Sequence, residues 1–311
     1  MLPTWPELVA VDTLPADDVL GAVVFGSDRH ADLTVPMRQL GKAPLAEVWR
    51  SSLPIARSRS GDVAMAANGA VLFGTATAEP GDTECVTAKL YEQIVDAVRV
   101  AGYPYLLRVW NHVGSINETE HEIERYKRFS AGRHEALTGR GFAREQFPAA
   151  SAVGMSQNGV RVYFIASRSP GVQVENPRQV AAYDYPPVYG SRSPSFARAT
   201  VAQWDGVGMV FVAGTASVVG HETRHAGDIE AQLEETLLNL ETIIAEAASR
   251  IGRKGSLDHL SIAKTYIRNA SDYEMIAARL RVALPRTQLL FVEGDICRRD
   301  LLVEIEGVAR I

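Results

Sequence analysis

The sequence is poor in cysteine, in lysine and in long apolar runs, and each shortage removes a class of protein. Two cysteines occur, Cys85 and Cys297, far apart and without metal-cluster spacing. This argues against a disulfide framework and for a reducing, cytoplasmic setting. No apolar stretch approaches the roughly 20 residues of a membrane-spanning helix, so no membrane span is expected. The opening Met1-Leu2-Pro3-Thr4-Trp5-Pro6 lacks a basic segment followed by an apolar one, and no secretory leader is read there. Low-complexity tracts are missing too. With 46% hydrophobic and 22% charged residues, the chain is expected to fold. A formal net charge of −5 argues against a general nucleic-acid-binding surface. Basic charge is carried by arginine, since lysine stands only at Lys42, Lys89, Lys127, Lys254 and Lys264. A planar guanidinium holds a carboxylate bidentately, which gives some arginines a use beyond solubility.

At 311 residues the chain is long for one core and comfortable for two. The second half reads more clearly. A strand over 161–165 precedes a loop rich in proline and tyrosine (169–194), then strands over 197–204 and 208–213 with Asp205-Gly206 as their turn. Asp228 stands where an N-cap belongs. Behind it Ile229, Leu233, Leu237, Leu240, Ile244 and Ile251 recur at helical spacing up to Gly252. A strand over 260–267, a helix over 272–282 and strands over 287–292 and 301–308 close the chain. In the first half, strands over 20–25, 46–49, 63–67 and 70–75 precede a helix over 83–100. Val86, Leu90, Ile94 and Val98 form its apolar stripe. A strand over 105–111 and a charged helix over 118–136 follow. The same order of strands, long helix, strand and second helix thus occurs twice. It predicts an α+β fold of two related domains, 1–150 and 151–311, each a mixed sheet with helices on one face.

His221-Glu222-Thr223-Arg224-His225 spells the HExxH pattern of zinc hydrolases, which needs a helix to bring both histidines to one face. Glycines flank it and the helical pattern starts only at Asp228, so a loop with backbone-bonded histidines is expected and no metal is assigned. Gly214 follows an apolar strand, where a glycine permits a turn or makes room for a ligand. The loop carrying Glu175-Asn176-Pro177-Arg178-Gln179, Tyr183, Tyr185 and Tyr189, with Arg198 behind it, is long enough to suggest function. Its amides, phenols and guanidiniums suit a small, doubly acidic ligand. In the last strand, alternation puts Glu304 and Glu306 on one face, opposite Val303 and Ile305. The residues leave two readings open, a solvated edge strand or a carboxyl whose pKa is raised for acid–base work.

Taken together, these segments resemble the chorismatase family, whose C-terminal half is similar to YjgF/RidA proteins. The matching pieces, in order, are Leu107-Arg108-Val109-Trp110-Asn111, Glu124-Arg125-Tyr126 with Gly132-Arg133, and Pro148-Ala149-Ala150. They continue with Glu175 to Gln179, Ser195-Phe196-Ala197-Arg198, Gly214-Thr215-Ala216-Ser217 with Gly220-His221, and Gly294 to Arg298 leading into Val303 to Gly307. The first hundred residues match mainly around 44–50. The resemblance implies two RidA-like domains with a cofactor-free site in the cleft between them, and chorismate as the small-molecule substrate. Arg133, Arg178 and Arg198 would anchor its two carboxylates, and Gln179, Tyr185, Tyr189 and Glu306 would complete the binding set. Glu304 would be the acid that protonates the enolpyruvyl group so that it leaves as pyruvate. Gly214 and Cys297 would mark the branches forming 3-hydroxybenzoate, or a 3- and 4-hydroxybenzoate mixture, since the hydrolytic branch tends to carry alanine at both. A RidA-like imine deaminase or small-molecule binder is the more distant alternative. RidA-like single domains form trimers. A chain with two such domains can satisfy much of that packing internally, and a monomer is expected.

Overall fold

The computed structural model describes residues 5–26, 31–42, 44 and 46–311. The first four residues, read above for a leader, and Leu45 of the segment 44–50 lie outside them.

Strand alternation decides the architecture. Each half holds a six-stranded sheet with an aliphatic face turned to two helices and a second face turned inward. The first sheet runs Ala149–Met155, Tyr105–Gly114, Val160–Ser167, Val71–Ala78, Val63–Ala67 and Ala56–Ser60. α1 (Thr83–Val100) and α2 (Arg125–Gly139) cover it, with Leu90, Ile94 and Val98 packed among Val109, Val162 and Phe164. The second sheet runs Val172–Val174, Ala199–Trp204, Val207–Ala216, Val303–Arg310, Leu260–Ile267 and Gln288–Glu293. α3 (Ile229–Ser249) and α4 (Tyr273–Ala283) cover it, with Leu233, Leu240 and Ile276 packed among Val210, Val212 and Ile305. Asp228 caps α3, its carboxylate accepting from the Ala231 amide at 3.0 Å.

A third, four-stranded sheet runs Glu7–Val11, Ala46–Arg50, Val19–Phe25 and Leu33–Val35. The inner faces of all three sheets share one core that includes Phe25, Trp49, Trp110, Tyr163, Phe211 and Leu290. Trp110 stacks on Tyr163 with ring centroids 4.5 Å apart, and Trp49 meets Trp110 edge-on at 6.0 Å. Each sheet touches both others. Ala149 bridges Ala197 between the first and second, and the Ala10 amide of the third donates to the Gln288 side chain of the second at 2.9 Å. Arg57 reaches from the first sheet to the Val19 carbonyl of the third at 2.9 Å.

Four features differ from the sequence reading. The strands over 20–25 and 46–49 form the third sheet, with Glu7–Val11 and Leu33–Val35 as unforeseen partners. The expected boundary at 150/151 falls inside the first sheet, because Ala149–Met155 pairs in parallel with Tyr105–Gly114. The chain crosses to the second sheet between Ser167 and Val172. The charged helix begins at Arg125. Thr119–Glu120 and Ile123–Glu124 form a ribbon whose turn places His121 and Glu122 at φ of 49° and 65°, outside helical space. The last strand lies in mid-sheet between Val207–Ala216 and Leu260–Ile267, which removes the solvated-edge reading of its glutamates. Among the described residues no helix is long and apolar enough to cross a membrane.

The shared core makes a direct prediction. Trp49 is fully buried where the three sheets meet. Trp49→Ala is expected to cost about 3–5 kcal/mol in urea unfolding. A loss under about 1 kcal/mol would mean the third sheet is not integral to the core.

Candidate active site

The inner faces are not wholly apolar. Alternation that sends Val303 and Ile305 towards α3 sends Glu304 and Glu306 inward, and likewise Arg108 on Tyr105–Gly114 and Lys264 on Leu260–Ile267. All four are buried, with relative exposures of 4%, 2%, 0% and 1% respectively. Glu304 faces a cavity of about 580 Å³ between the first and second sheets, roofed by the loop before Ala199–Trp204. Its cross-strand neighbours are Ala216 and Tyr266.

Space beside Glu304 depends on Gly214. A β-carbon there would lie 2.0 Å from Glu304 Oε1 and 2.7 Å from its carboxyl carbon, so any side chain displaces the carboxyl. Burial pushes the Glu304 pKa up to about 8, the charge of Glu306 adds to this, and Arg108 and Arg198 oppose it. Burial and the Glu306 charge both favour the protonated acid at neutral pH.

Glu306 has the opposite character. Burial would raise it, but Lys264 at 2.8 Å and Arg108 at 2.5 Å hold it ionised, at about 2. Tyr266 donates to its Oε1 at 2.9 Å, and Ser151 donates to its Oε2. Ser151 Oγ in turn accepts from Arg108 and, at 3.2 Å, from the Gly214 amide. Two glutamates on one face therefore differ in charge because their neighbours differ.

The opposite wall is cationic. Gly132 lets α2 approach α1 closely, since a β-carbon there would sit 2.2 Å from the Glu84 carbonyl. Arg133, next along, is buried against Phe129 and Phe196, and its Nε and Nη2 have no hydrogen-bond partner among the described residues. Arg198 lies 5.0 Å from the Phe196 ring and donates to the Tyr185 hydroxyl at 2.6 Å, and its Nε has no partner among the described residues. Arg298 stacks 4.2 Å over Tyr189 and donates to the His221 carbonyl at 2.9 Å. Buried guanidinium donors without acceptors are costly, so these walls favour an anionic guest. Cys297 completes the wall. Burial, with Glu304 beside it, pushes its thiol up to about 12, which makes it a neutral donor and not a thiolate.

Of the residues expected from sequence, the cavity brings together Glu304, Cys297, Gly214, Arg133, Arg198, Gln179, Tyr185 and Tyr189. Two do not belong to its wall. Arg178 turns away to pin the loop onto α3, pairing with Glu235 and Asn239 at 2.5 Å each. Glu306 sits behind the wall among Lys264, Arg108 and Tyr266. The sequence reading missed Tyr126, Ser151, Phe196 and Arg298 as wall residues. Tyr126, Phe196 and Arg298 stand inside quoted motifs and Ser151 directly follows Pro148-Ala149-Ala150, so the signal was membership of, or adjacency to, those motifs. The HExxH stretch is a hairpin of Val218–Val219 and Glu222–Thr223. His221 meets the Tyr189 ring, while His225, at φ 56°, faces Glu235 at 3.4 Å, so the imidazoles do not share a helical face.

Comparison with known proteins points one way. Residues 47–166 match the family model described as chorismatase FkbO/Hyg5-like, N-terminal. A 3-hydroxybenzoate synthase of Streptomyces hygroscopicus is 38% identical over 310 residues, covering 94% of this chain and 91% of that protein. A chorismatase of Streptomyces rapamycinicus is 39% identical over 277 residues, covering 85% and 81%. A chorismatase crystal structure at 1.08 Å superimposes with a TM-score of 0.91 and 33% identity, covering 99% of each chain.

The raised pKa of Glu304 has a consequence for stability. The folded protein keeps the proton up to about 8, whereas an unfolded glutamate releases it near 4.5. Stability is therefore lost as pH climbs between those values. Glu304→Gln removes the loss, and above pH 8 the variant is expected to exceed wild type by a few kcal/mol, about 5 at most. The difference should shrink towards pH 4 in urea titrations. A difference independent of pH would show that Glu304 ionises as an exposed carboxylate does.

Proposed function

This chain belongs to the chorismatase family, and we propose that it converts chorismate into 3-hydroxybenzoate and pyruvate. One observation carries the reading: a buried carboxylic acid stands across one cavity from guanidiniums whose donors lack acceptors. Chorismate presents two carboxylates and, between them, an enolpyruvyl ether that needs a proton.

In this reading Arg133, Arg198 and Arg298 take the carboxylates, and Gln179, Tyr185 and Tyr189 border the ring. Binding fixes the substrate against Glu304, so the chemistry becomes a matter of position. Glu304 gives its proton to the methylene carbon of the enolpyruvyl group. The ether bond to ring C3 then breaks, and its electrons stay on the departing oxygen, which becomes the ketone oxygen of pyruvate. The C4 hydroxyl oxygen closes on C3 as that bond breaks, and its proton returns to the Glu304 carboxylate. The ring oxide so formed opens at C4, C3 loses its proton, the oxygen takes one up, and the ring becomes aromatic. Substrate and products balance atom for atom, so neither oxidant nor reductant is required and no cofactor is invoked. Cys297, as a neutral thiol, guides the ring proton or holds the oxygen. Gly214 keeps the Glu304 carboxyl in line with the substrate.

Two further readings go with this one. A core closed by three sheets of one chain supports a monomer, and light scattering on the eluting protein tests it; a mass of two or three chains would overturn it. Two free cysteines fit a reducing cytoplasm.

Chromatography of the EDTA-treated protein with chorismate is expected to show pyruvate and 3-hydroxybenzoate. Intact chorismate would end the proposal. kcat/KM should fall as pH rises through about 8, where Glu304 ionises. Glu304→Gln should lose about a thousandfold or more. Cys297→Ala should divert product towards the non-aromatic dihydroxycyclohexadienoate, and an unchanged product profile would remove the thiol from the reaction.

A further inference from the structure

Behind the cavity wall lies a cluster of buried charge that the reaction just described does not use. Lys264 stands where the three sheets meet. Its ammonium donates to Glu306 of the second sheet at 2.8 Å, to Glu47 of the third at 3.0 Å and to the Tyr163 hydroxyl of the first at 2.6 Å. Tyr163 closes the ring of contacts by donating to Glu47 at 2.5 Å. Arg108 takes the other Glu306 oxygen at 2.5 Å. Glu47, Lys264, Arg108 and Glu306 are all outside the cavity lining, yet Glu306 is two residues along the strand from Glu304, on the same face.

Two carboxylates and two cations cancel, so the cluster is neutral only while all four are present. Such a buried arrangement is an expensive way to fill a core that apolar side chains could fill. Its geometry suggests what it does. Lys264 takes one oxygen of the Glu306 carboxylate and Arg108 the other, and Ser151 of the cavity wall bonds the Arg108 side, while Glu304 projects from the same strand face two residues away.

Resting on the reading of Glu304 as the acid, we propose that Glu47, Lys264 and Arg108 are positioning residues: they fix Glu306 as an anion beside Glu304, and that anion keeps Glu304 in its acid form. A side chain of the third sheet, remote from the substrate, thereby governs the reacting proton. The other groups facing Glu304 do not substitute for this. Tyr266 across the strand pair and Cys297 from the preceding loop are both held neutral by burial, and Arg108 and Arg198 favour the ionised form. Burial opposes them first, and Glu306 is the charged group that adds to it.

Charge arithmetic makes the test sign-specific. Either Glu306→Gln or Glu47→Gln leaves the cluster with one excess positive charge, which favours ionisation of Glu304. The basic limb of the kcat/KM profile for chorismate consumption should move to lower pH, by about one unit or more in Glu306→Gln and by less in Glu47→Gln. The double variant Glu47→Gln/Lys264→Met removes a pair of opposite charges and should bring the limb back to the wild-type position, as should the charge-conserving Glu47→Asp. A second readout needs no turnover. The pH midpoint of the stability difference between each variant and its Glu304→Gln counterpart should move in the same sense. Limbs and midpoints that stay at the wild-type position in both single variants would reduce the cluster to a structural role. If Glu304→Gln itself keeps the wild-type rate, the acid reading fails instead, so the two failures are told apart.

Discussion

A lysine ammonium buried at the junction of three sheets imposes conditions on everything around it. An ion taken out of water needs compensation by charge and hydrogen bonds. Lys264 obtains them from one residue of each sheet: Glu47, Tyr163 and Glu306. The three sheets must therefore close in one relative arrangement for the ion to be tolerated. The aromatic packing of Trp49, Trp110 and Tyr163 supplies much of the attraction between them. The ion supplies selectivity, because slipping any strand by one residue would turn its charge to the helix side.

The same closure creates the chemistry. Glu306 is held as an anion by Lys264 and Arg108, and Glu304, two residues away, meets the cavity with no ion-pair partner among the described residues. A low-dielectric wall and an adjacent negative charge both favour the protonated form. Gly214 contributes by lacking a side chain, since a β-carbon would occupy the place of the Glu304 carboxyl oxygen. Across the cavity the sign reverses. Arg133 and Arg198 are buried with donors that have no acceptor among the described residues, so the site is poised with an acid on one side and anion receptors on the other. This suits a dianionic substrate that needs one proton at carbon.

Part of the site was legible because its residues follow local rules, whereas Arg133, Cys297 and the acid role of Glu304 came from the resemblance to the chorismatase family. Period-two alternation put Glu304 and Glu306 on one face, opposite Val303 and Ile305, and the length of the loop before Arg198 marked its tyrosines. The N-cap at Asp228 showed that HExxH precedes the helix. What escaped depends on contacts distant in sequence. Glu47 and Lys264 are separated by more than two hundred positions, and nothing near either hints at the other. Arg178 looked like an anion anchor by type, but the partners that claim it, Glu235 and Asn239, lie on a helix whose placement local pattern does not give. The third sheet was hidden for the same reason. Two of its four strands, over 20–25 and 46–49, were visible singly, while their pairing with each other and with Glu7–Val11 and Leu33–Val35, and not with the first sheet, is a tertiary fact.

The proposed reaction requires Glu304 to be a protonated carboxylic acid in the folded protein at neutral pH. Carbon-13 NMR of glutamate-labelled protein, with Glu304→Gln to assign the resonance, measures this directly. A side-chain carboxyl signal that stays in the acid position at pH 7 and titrates near 8 is the expected result. A signal that titrates near 4.5, as an ordinary glutamate does, would contradict it.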